Sequence, residues 1–233
     1  MGPVSPIALV LFGSPGSGKG TQSKYLTAWL GIPQISTGEM LREHVRAGDK
    51  IGQAVSSLLK AGSLVPDALV NEMVRQRIGR QDCARGFILD GYPRTTAQAV
   101  EMEGLLADAR ASEVVIHLAV DYNVIISRIT GRRVCPVCGT VYNAKSNPPK
   151  IEGVCDLDGN QLAVRNDDRE DVVRERLSQY ERQTRPLIEF FNGGGHRFIT
   201  VDASRETPEN VFRKIQSELA GSGLVADLAG AVK

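Results

Sequence analysis

A glycine-rich loop directly follows an apolar run near the beginning of the chain. The run Ile7–Phe12 predicts a buried strand, and residues 13–21 are Gly-Ser-Pro-Gly-Ser-Gly-Lys-Gly-Thr. Glycines let consecutive backbone N–H groups curl around phosphate oxygens, the next helix directs its positive N-terminus at them, and the lysine reaches the outer phosphates. The pattern therefore predicts a phosphate-binding loop for a nucleoside triphosphate. Its predicted contacts are Gly16, Ser17, Gly18, Lys19, Gly20 and Thr21.

Two other interpretations of this loop fit the residues less well. An ordinary turn between a strand and a helix needs no lysine, and a dinucleotide-binding loop has the spacing G-x-G-x-x-G. One departure from the usual loop pattern affects how Mg²⁺ would be bound. Phosphate-binding loops usually carry Ser or Thr directly after the lysine, whereas here Gly20 intervenes and the hydroxyl follows at Thr21. Direct ligation of Mg²⁺ by Thr21 is therefore an open question at this point.

The composition favours a globular protein with local phosphate sites. The 233 residues suffice for one large α/β domain with insertions or for two small domains. The net charge of +1 predicts no general attraction to nucleic acid or membrane, yet 20 of the 28 basic residues are arginines, whose planar guanidinium binds phosphate through paired hydrogen bonds. No stretch resembles a signal peptide or a membrane span of about 20 apolar residues. We expect a cytoplasmic protein whose four cysteines form no structural disulfide.

Strands and helices are predicted to alternate along the chain. This order is typical of an α/β fold in which a parallel sheet lies between two layers of helices. The five predicted strands are Ile7–Phe12, Ile32–Ser36, Gly86–Asp90, Glu113–Val120 and Arg197–Val201. Helices are predicted over residues 19–30, 37–45 with Thr37 as the cap, 52–60, 66–78, a stretch ending near 109, 123–131, a long helix over 168–191 disturbed near Pro186, and one that begins at 207.

Residues 132–165 lack this helical periodicity. Cysteine, proline, glycine and asparagine cluster there with short alternating runs, which predicts an inserted subdomain. The tail from Gly221 to Lys233 consists mostly of small residues and suggests a flexible end without an evident function.

A second candidate phosphate site lies in the segment Asp90-Gly91-Tyr92-Pro93-Arg94. Asp90 ends a predicted strand, where the second acid of a phosphate-loop fold holds magnesium directly or through water. The following turn places Arg94 at the carboxyl edge of the sheet, which is where open α/β sheets bind ligands. We therefore predict that Arg94 contacts a phosphate.

Five segments together resemble the adenylate kinases, specifically the long-lid bacterial type with a zinc-binding lid. They are residues 13–21, 34–42, 90–94 with Gln98, 131–134 and 165–168, and the resemblance extends over about residues 7–215. It implies a reversible, Mg²⁺-dependent transfer of the terminal phosphoryl group of ATP to AMP, which gives two ADP and serves adenine nucleotide homeostasis. It also implies a monomer with a three-layer P-loop core (residues 1–36, 67–131 and 166–233), a helical insertion that binds the nucleoside monophosphate (37–66) and a lid (132–165).

The resemblance further assigns roles to individual positions. Gln98 is implied to pair with the Watson–Crick edge of adenine, and Asp167 and Asp168 to form ion pairs that close the lid. The implied AMP contacts are Thr37, Gly38, Arg42, Ser63, Leu64, Val65, Gly91, Arg94, Gln98, Arg165 and Arg176. The implied ATP contacts beyond the loop are Arg128, Arg132, Val141, Tyr142 and Arg205. The residues implied in phosphoryl transfer are Lys19, Asp90, Arg94, Arg132, Arg165 and Arg176.

The insertion over residues 132–165 also carries a candidate metal site. Cys135 and Cys138 are followed, after 16 residues, by Cys155 and Asp158, so two ligand pairs share one spacing. Three thiolates and a carboxylate in this pattern are typical of a tetrahedral, structural zinc site and are similar to the metal-bearing lids of some bacterial adenylate kinases. Asp156 competes with Asp158 as the fourth ligand, and a redox cysteine pair is the other interpretation. Cys83, far away in sequence, is predicted to be a buried core thiol.

Other classes of function agree less well with the sequence. A related nucleoside monophosphate kinase, such as a GTP:AMP phosphotransferase, stays open because lid residues select the donor base only weakly. A GTPase or ATPase switch would need a base-recognition motif and a water-positioning residue, and neither is evident. A zinc-ribbon nucleic-acid module would carry basic and aromatic residues around its cysteines, which are scarce here. We therefore expect ATP, AMP and ADP as partners, and neither nucleic acid nor membrane.

Overall fold

The structure, a computed structural model, describes residues 5–144, 146–221 and 225. The strands of its main sheet are β1 (Ile7–Phe12), β2 (Gln34–Ser36), β3 (Gly86–Asp90), β4 (Ser112–Ala119) and β7 (Phe198–Asp202). They are parallel and lie in the order β2-β3-β1-β4-β7, which confirms the predicted α/β class with a five-stranded parallel sheet. All six residues of β1 are buried, as expected for the central strand.

Helices cover both faces of this sheet because the side chains of β1 alternate between them. The helices are α1 (Lys19–Leu30), α2 (Thr37–Ala47), α3 (Lys50–Ala61), α4 (Asp67–Ile78), α5 (Thr96–Asp108), α6 (Tyr122–Thr130), α7 (Glu170–Gln179), α8 (Leu187–Gly193) and α9 (Pro208–Gly221). Ala8, Val10 and Phe12 pack with residues of α4, α5 and α8, whereas Leu9 and Leu11 pack with residues of α1 and α9. The result is a three-layer arrangement with a separate hydrophobic cluster on each side.

Two segments between strands of the main sheet contribute no strand to it. Helices α2 and α3 follow β2, and the side chain of Asp49 caps α3 by accepting a hydrogen bond from the Gly52 backbone N–H at 2.8 Å. The second segment contains the antiparallel strands β5 (Arg132–Val134) and β6 (Val141–Asn143), in the stretch for which an inserted subdomain is predicted. A small buried cluster of Cys135, Tyr142 and Cys155 lies within it.

Two local predictions around β2 are wrong. The strand begins at Gln34 rather than Ile32, and Pro33, which has no backbone N–H, precedes it. Thr37 does not cap α2, because Ser36 is the capping residue and the Thr37 hydroxyl instead donates to the Gly91 carbonyl at 2.9 Å. A tertiary hydrogen bond thus replaces the local cap that the sequence favours.

The long helix predicted over residues 168–191 is divided into two helices. Between α7 and α8 the backbone widens into a π-turn at Tyr180–Thr184, where the Arg185 N–H donates to the Tyr180 carbonyl at 2.8 Å. The disturbance predicted near Pro186 therefore begins six residues earlier than the proline itself. Of the tail, residues 222–224 and 226–233 lie outside the described part of the chain.

Candidate functional site

The phosphate loop joins the central strand to α1. Gly18, the capping residue of α1, has φ of 100°, a conformation that glycine adopts without strain. The Lys19 ammonium lies back across the loop and donates to the carbonyl oxygens of Gly13 at 2.7 Å and Ser14 at 2.8 Å. The Thr21 and Gln22 N–H groups donate to the Gly18 carbonyl at 3.0 Å, and the N–H groups of a helix N-terminus together with its partial positive charge favour an anion.

The Lys19 ammonium is enclosed by protein. Burial lowers its pKa to about 8; Asp90 opposes this shift, while the positive charges of Arg94, Arg176 and Arg132 add to it. A buried ammonium that needs negative charge nearby is suited to receive phosphate oxygens.

Asp90 lies beside the loop at the end of β3. Its side chain is buried and accepts a hydrogen bond from Gln34 Nε2 at 2.8 Å. A Cβ atom on Gly20 would lie 3.6 Å from Asp90 Oδ2, whereas Thr21 is exposed. The position directly after Lys19 therefore lies against the carboxylate. A carboxylate beside a phosphate loop matches the oxygen ligands of Mg²⁺, so the residues present fit the metal that accompanies ATP.

A cavity opens between α2, α3 and the turn after β3. It is lined by every implied AMP contact except Arg165. Gly91 has a φ of +81° and lets the side chains of Arg94 and Thr37 lie close to the turn. A Cβ atom on Gly91 would be only 2.9 Å from Arg94 Nη2 and 3.2 Å from Thr37 Oγ1. The structure thus brings together residues that are up to 139 positions apart in the chain, Thr37 and Arg176.

Arg94 is held in this cavity by its main chain and its Nε. Its Nε donates to the Gly91 carbonyl at 2.8 Å, its N–H donates to Gln98 Oε1 at 2.8 Å, and its carbonyl accepts from Thr184 Oγ1 at 2.8 Å. Among the described residues, no carboxylate lies within ion-pair distance of its guanidinium, whose pKa is lowered by burial. A partly buried guanidinium that has no carboxylate partner is suited to bind an anionic ligand.

Gln98 is also buried, and both ends of its side-chain amide have partners. Oε1 accepts from the Arg94 N–H, and Nε2 donates to Asp67 Oδ1 at 2.7 Å. Sequence reasoning missed Asp67, Thr184 and Gln34, because each acts through a partner far along the chain. For Asp67 and Thr184 no local signal exists, whereas Gln34 lies inside one of the five resembling segments.

Four further arginines form a charged cluster with acidic residues. Arg132 makes a bidentate ion pair with the fully buried Asp168. Arg176 contacts Asp167 at 3.1 Å and Asp168 at 3.4 Å, and burial lowers its pKa to about 10 against the opposing charge of Asp167. The lid-closing role that the resemblance implies for the two aspartates stays a prediction. The remaining pairs are Arg165 with Glu39 at 2.7 Å, Arg42 with Glu39 at 2.7 Å and Arg42 with Asp167 at 3.6 Å.

The implied donor-base contacts are less closely grouped. Arg128 donates to the Ala203 carbonyl at 2.6 Å and to the Ser17 carbonyl at 3.4 Å, which joins α6 to the phosphate loop. Arg205 is exposed just beyond β7, and Val141 in β6 is half-buried. The Tyr142 ring, also in β6, is buried, and its hydroxyl accepts from the Asp156 N–H and lies 3.6 Å from Cys155 Sγ. The Tyr142 hydroxyl therefore lies at the cysteine cluster, and the ATP contact implied for this residue stays a prediction.

The metal-ligand candidates converge as predicted from their spacing. The ligand atoms of Cys135, Cys138, Cys155 and Asp158 all lie within 4.8 Å of one another. Cys138 Sγ is 3.5 Å from Cys155 Sγ, and Cys135 Sγ is 3.2 Å from Asp158 Oδ2, close to the roughly 3–4 Å edges of a tetrahedral zinc site. Asp156 is directed elsewhere and accepts from the Lys150 N–H, so the structure groups Asp158 with the cysteines. Cys83 is buried outside this cluster, as expected for a core thiol.

The three-layer fold, the phosphate loop and the arginine-lined cavity define the class of P-loop phosphotransferases. A family model described as adenylate kinase matches residues 11–196. The chain belongs to the adenylate kinase family.

Comparison with curated proteins agrees with this family. The chain is 46% identical over 213 residues to an adenylate kinase of Anaeromyxobacter sp. strain Fw109-5, covering 91% of this chain and 99% of the relative. It is 43% identical over 212 residues to an adenylate kinase of Oceanobacillus iheyensis, covering 91% and 98%. The protein is an ATP:AMP phosphotransferase that uses Mg²⁺ with ATP. Over the described residues, no helix has both the length and the apolar character needed to cross a membrane.

Proposed function

We propose that the cavity between α2, α3 and the turn after β3 binds AMP, while the phosphate loop binds ATP. The observation that carries this proposal is the position of Arg94. Arg94 lines the cavity, and its charge lowers the pKa of Lys19 in the loop. A cation between the two phosphate sites is placed where a phosphoryl group must travel from donor to acceptor.

The proposed reaction is an in-line displacement. An α-phosphate oxygen of AMP attacks the γ-phosphorus of ATP, the bond between that phosphorus and the β,γ-bridging oxygen breaks, and both products are ADP. Such a transfer depends on positioning and positive charge more than on acid–base catalysis. We assign this role to Lys19, Arg94, Arg132, Arg165 and Arg176. Asp90 would hold the Mg²⁺ that accompanies ATP, which neutralises charge on the β- and γ-phosphates.

The acidic partners of the arginines support a coupling between substrate binding and closure. Arg132 and Arg176 share Asp168, and Arg42 and Arg165 share Glu39. Phosphates that enter the cluster draw these arginines, and the segments that carry them, towards the reacting groups. Closure then excludes water, which would otherwise accept the phosphoryl group.

We also propose that Cys135, Cys138, Cys155 and Asp158 bind a structural zinc ion in the lid. The two halves of the cluster have equivalent local structure, which supports Asp158 as the counterpart of Cys138. The Gly139 N–H donates to the Cys135 carbonyl at 3.0 Å, and the Gly159 N–H donates to the Cys155 carbonyl at 2.9 Å. A site with four protein ligands stabilises the lid and takes no part in the transfer. The monomeric state and cytoplasmic location implied by the family resemblance complete this proposal.

A coupled assay with crossed nucleotides tests the substrate assignment. ATP and GTP are each combined with AMP, GMP, CMP and UMP, and product nucleoside diphosphates are separated and quantified. We expect ATP with AMP to give the highest kcat/KM and two ADP per turnover. A higher kcat/KM for GTP with AMP would mean that the phosphoryl donor is GTP rather than ATP. A preferred acceptor other than AMP would overturn the assignment of the cavity to AMP.

A further inference from the structure

We infer that Asp67 is a positioning residue that holds the Gln98 side-chain amide in one orientation and thereby selects adenine over 6-oxopurines as the acceptor base. This inference rests on the proposed binding of AMP in the cavity that Gln98 lines. Asp67 itself is the first residue of α4, two positions after Val65, and is outside the set of implied nucleotide contacts.

The orientation of the Gln98 amide follows from what its partners can do. The Arg94 N–H can only donate, so Oε1 must face it, and the distance is 2.8 Å. An ionised Asp67 can only accept, so Nε2 must face it, and the distance to Oδ1 is 2.7 Å. A rotation of the amide by half a turn would place Oε1 against a carboxylate and Nε2 against an N–H group.

Asp67 is itself held in place on both sides. Its second carboxylate oxygen accepts from Thr95 Oγ1 at 2.7 Å, and the same hydroxyl caps α5 by accepting from the Gln98 N–H at 3.1 Å. The first turn of α4 also favours a negative charge, because the helix N-terminus carries a partial positive charge. Asp67, Thr95 and Gln98 therefore form one closed network between α4 and α5.

The consequence concerns the hydrogen-bonding groups left for a base. Gln98 is left with one Nε2 hydrogen and one Oε1 lone pair. Adenine offers a matching pair, since its N1 accepts and its 6-amino group donates. Hypoxanthine and guanine offer the reverse pair, a 6-oxygen that accepts and an N1–H that donates, and would need the rotated amide. A buried donor or acceptor without a partner strongly disfavours the wrong ligand.

The test compares AMP with IMP, which differs at position 6 and in the N1 proton. In Asp67→Ala we expect the ratio of kcat/KM for AMP over IMP to fall about tenfold or more, mainly through KM, because only the Arg94 N–H still orients the amide. Asp67→Asn still offers an oxygen to Gln98 Nε2 and is expected to retain the ratio within about threefold. The matched control is Glu72→Ala, an exposed position on the same helix, which should leave the ratio unchanged.

Two further variants ensure that the test of Asp67 gives a clear result. If Asp67→Ala does not fold, as judged by circular dichroism, Asp67→Ser takes its place with the same expected fall, because serine suits the first helical turn but is too short to reach Gln98. An unchanged AMP-to-IMP ratio in the folded variant overturns the inference. Gln98→Leu separates the inference about Asp67 from the proposed AMP site. If the AMP-to-IMP ratio of kcat/KM is unchanged in Gln98→Leu, the assignment of the AMP site is overturned. If that ratio falls in Gln98→Leu but is unchanged in the Asp67 variant, only the role of Asp67 is overturned.

Discussion

Arg165 Nη2 lies 2.7 Å from Glu39 Oε1, so the residue at the end of the lid segment is joined to α2 across the cleft. The same carboxylate oxygen accepts from Arg42 Nη2 at 2.7 Å. Hydrogen bonding to Arg42 and the charges of both arginines lower the pKa of Glu39 despite its burial, so it is ionised at neutral pH. Glu39 thus pairs with two of the arginines that the resemblance implies as AMP contacts, Arg42 and Arg165.

Glu39→Gln should strengthen AMP binding, because the two arginines then lose a competing negative charge. We expect the Kd of AMP to fall about threefold at low ionic strength, and less in high salt. The measurement is titration calorimetry with AMP. Glu43→Gln removes an exposed carboxylate from the same helix and serves as the control. A weaker binding of AMP by Glu39→Gln than by Glu43→Gln would instead mean that Glu39 orients the arginines for phosphate.

Arg94→Ala should separate activity from stability. The guanidinium is partly buried and has no carboxylate partner, so its loss removes a poorly solvated charge along with the contact to Gly91. We expect kcat/KM to fall by about three orders of magnitude with little change in the free energy of unfolding. Arg182→Ala, which removes an exposed arginine from the turn between α7 and α8, is the control. Near-normal turnover by Arg94→Ala would contradict its role at the travelling phosphoryl group.

The features that were predicted most accurately are those that depend on residues adjacent in the sequence. The observed bounds of β1, α1 and β3 equal the predicted ones, because an apolar run, a glycine loop and a helix start are local patterns. Arg94 could be assigned to phosphate for the same reason, since it follows a strand end. Arg165 and Arg176 required the family resemblance, because nothing in their own surroundings distinguishes them from Arg174, which is exposed.

The remaining features depend on contacts between distant segments. Thr37 is a good helix cap by local rules, but the Gly91 carbonyl, 54 residues away, competes successfully for its hydroxyl. Thr184 lies in a π-turn that a helical pattern does not predict, and its partner is 90 residues away. The pairing of Glu39 with Arg165 spans 126 residues. Without the fold, an acidic residue in the first turn of a helix indicates only a favourable helix dipole.

Lys19 should make stability depend on pH in a defined window. The folded-state pKa is about 8 and the ordinary value is 10.5, so between these pH values the unfolded chain holds a proton that the folded protein has lost. The contribution of Lys19 to the free energy of unfolding therefore increases as the pH rises through this window. We expect the wild type, relative to Lys19→Met, to gain about 2 kcal/mol between pH 7 and 9.5, measured by urea denaturation. Lys24→Met, at an exposed position of α1, is the control. A constant difference between wild type and Lys19→Met would contradict the effect of burial.

Thr184→Val should lower catalysis through the position of Arg94. The substitution keeps the volume of the side chain but removes the donor to the Arg94 carbonyl, leaving that carbonyl without this hydrogen bond. We expect kcat to fall about tenfold with a smaller change in the KM of ATP, since the displaced group acts on the phosphoryl group in transfer. Thr130→Val is the control, because that exposed hydroxyl donates only within its own helix. Equal kcat values for the two variants would exclude a positioning role for Thr184.

Asp158→Ala and Asp156→Ala should differ in metal binding, although the two aspartates are only two residues apart. Only the Asp158 carboxylate lies with the three cysteine sulfurs, whereas Asp156 accepts from the Lys150 N–H. For Asp158→Ala we expect the zinc affinity to fall at least about 100-fold and the Tm to be lower. Most of the activity should remain at low temperature, because the proposed role of the metal is structural and not catalytic. Cys135→Ser should behave in the same direction. Zinc content is measured by atomic absorption after dialysis against a competing chelator. A full zinc content in Asp158→Ala together with a loss in Asp156→Ala would reverse the assignment of the fourth ligand.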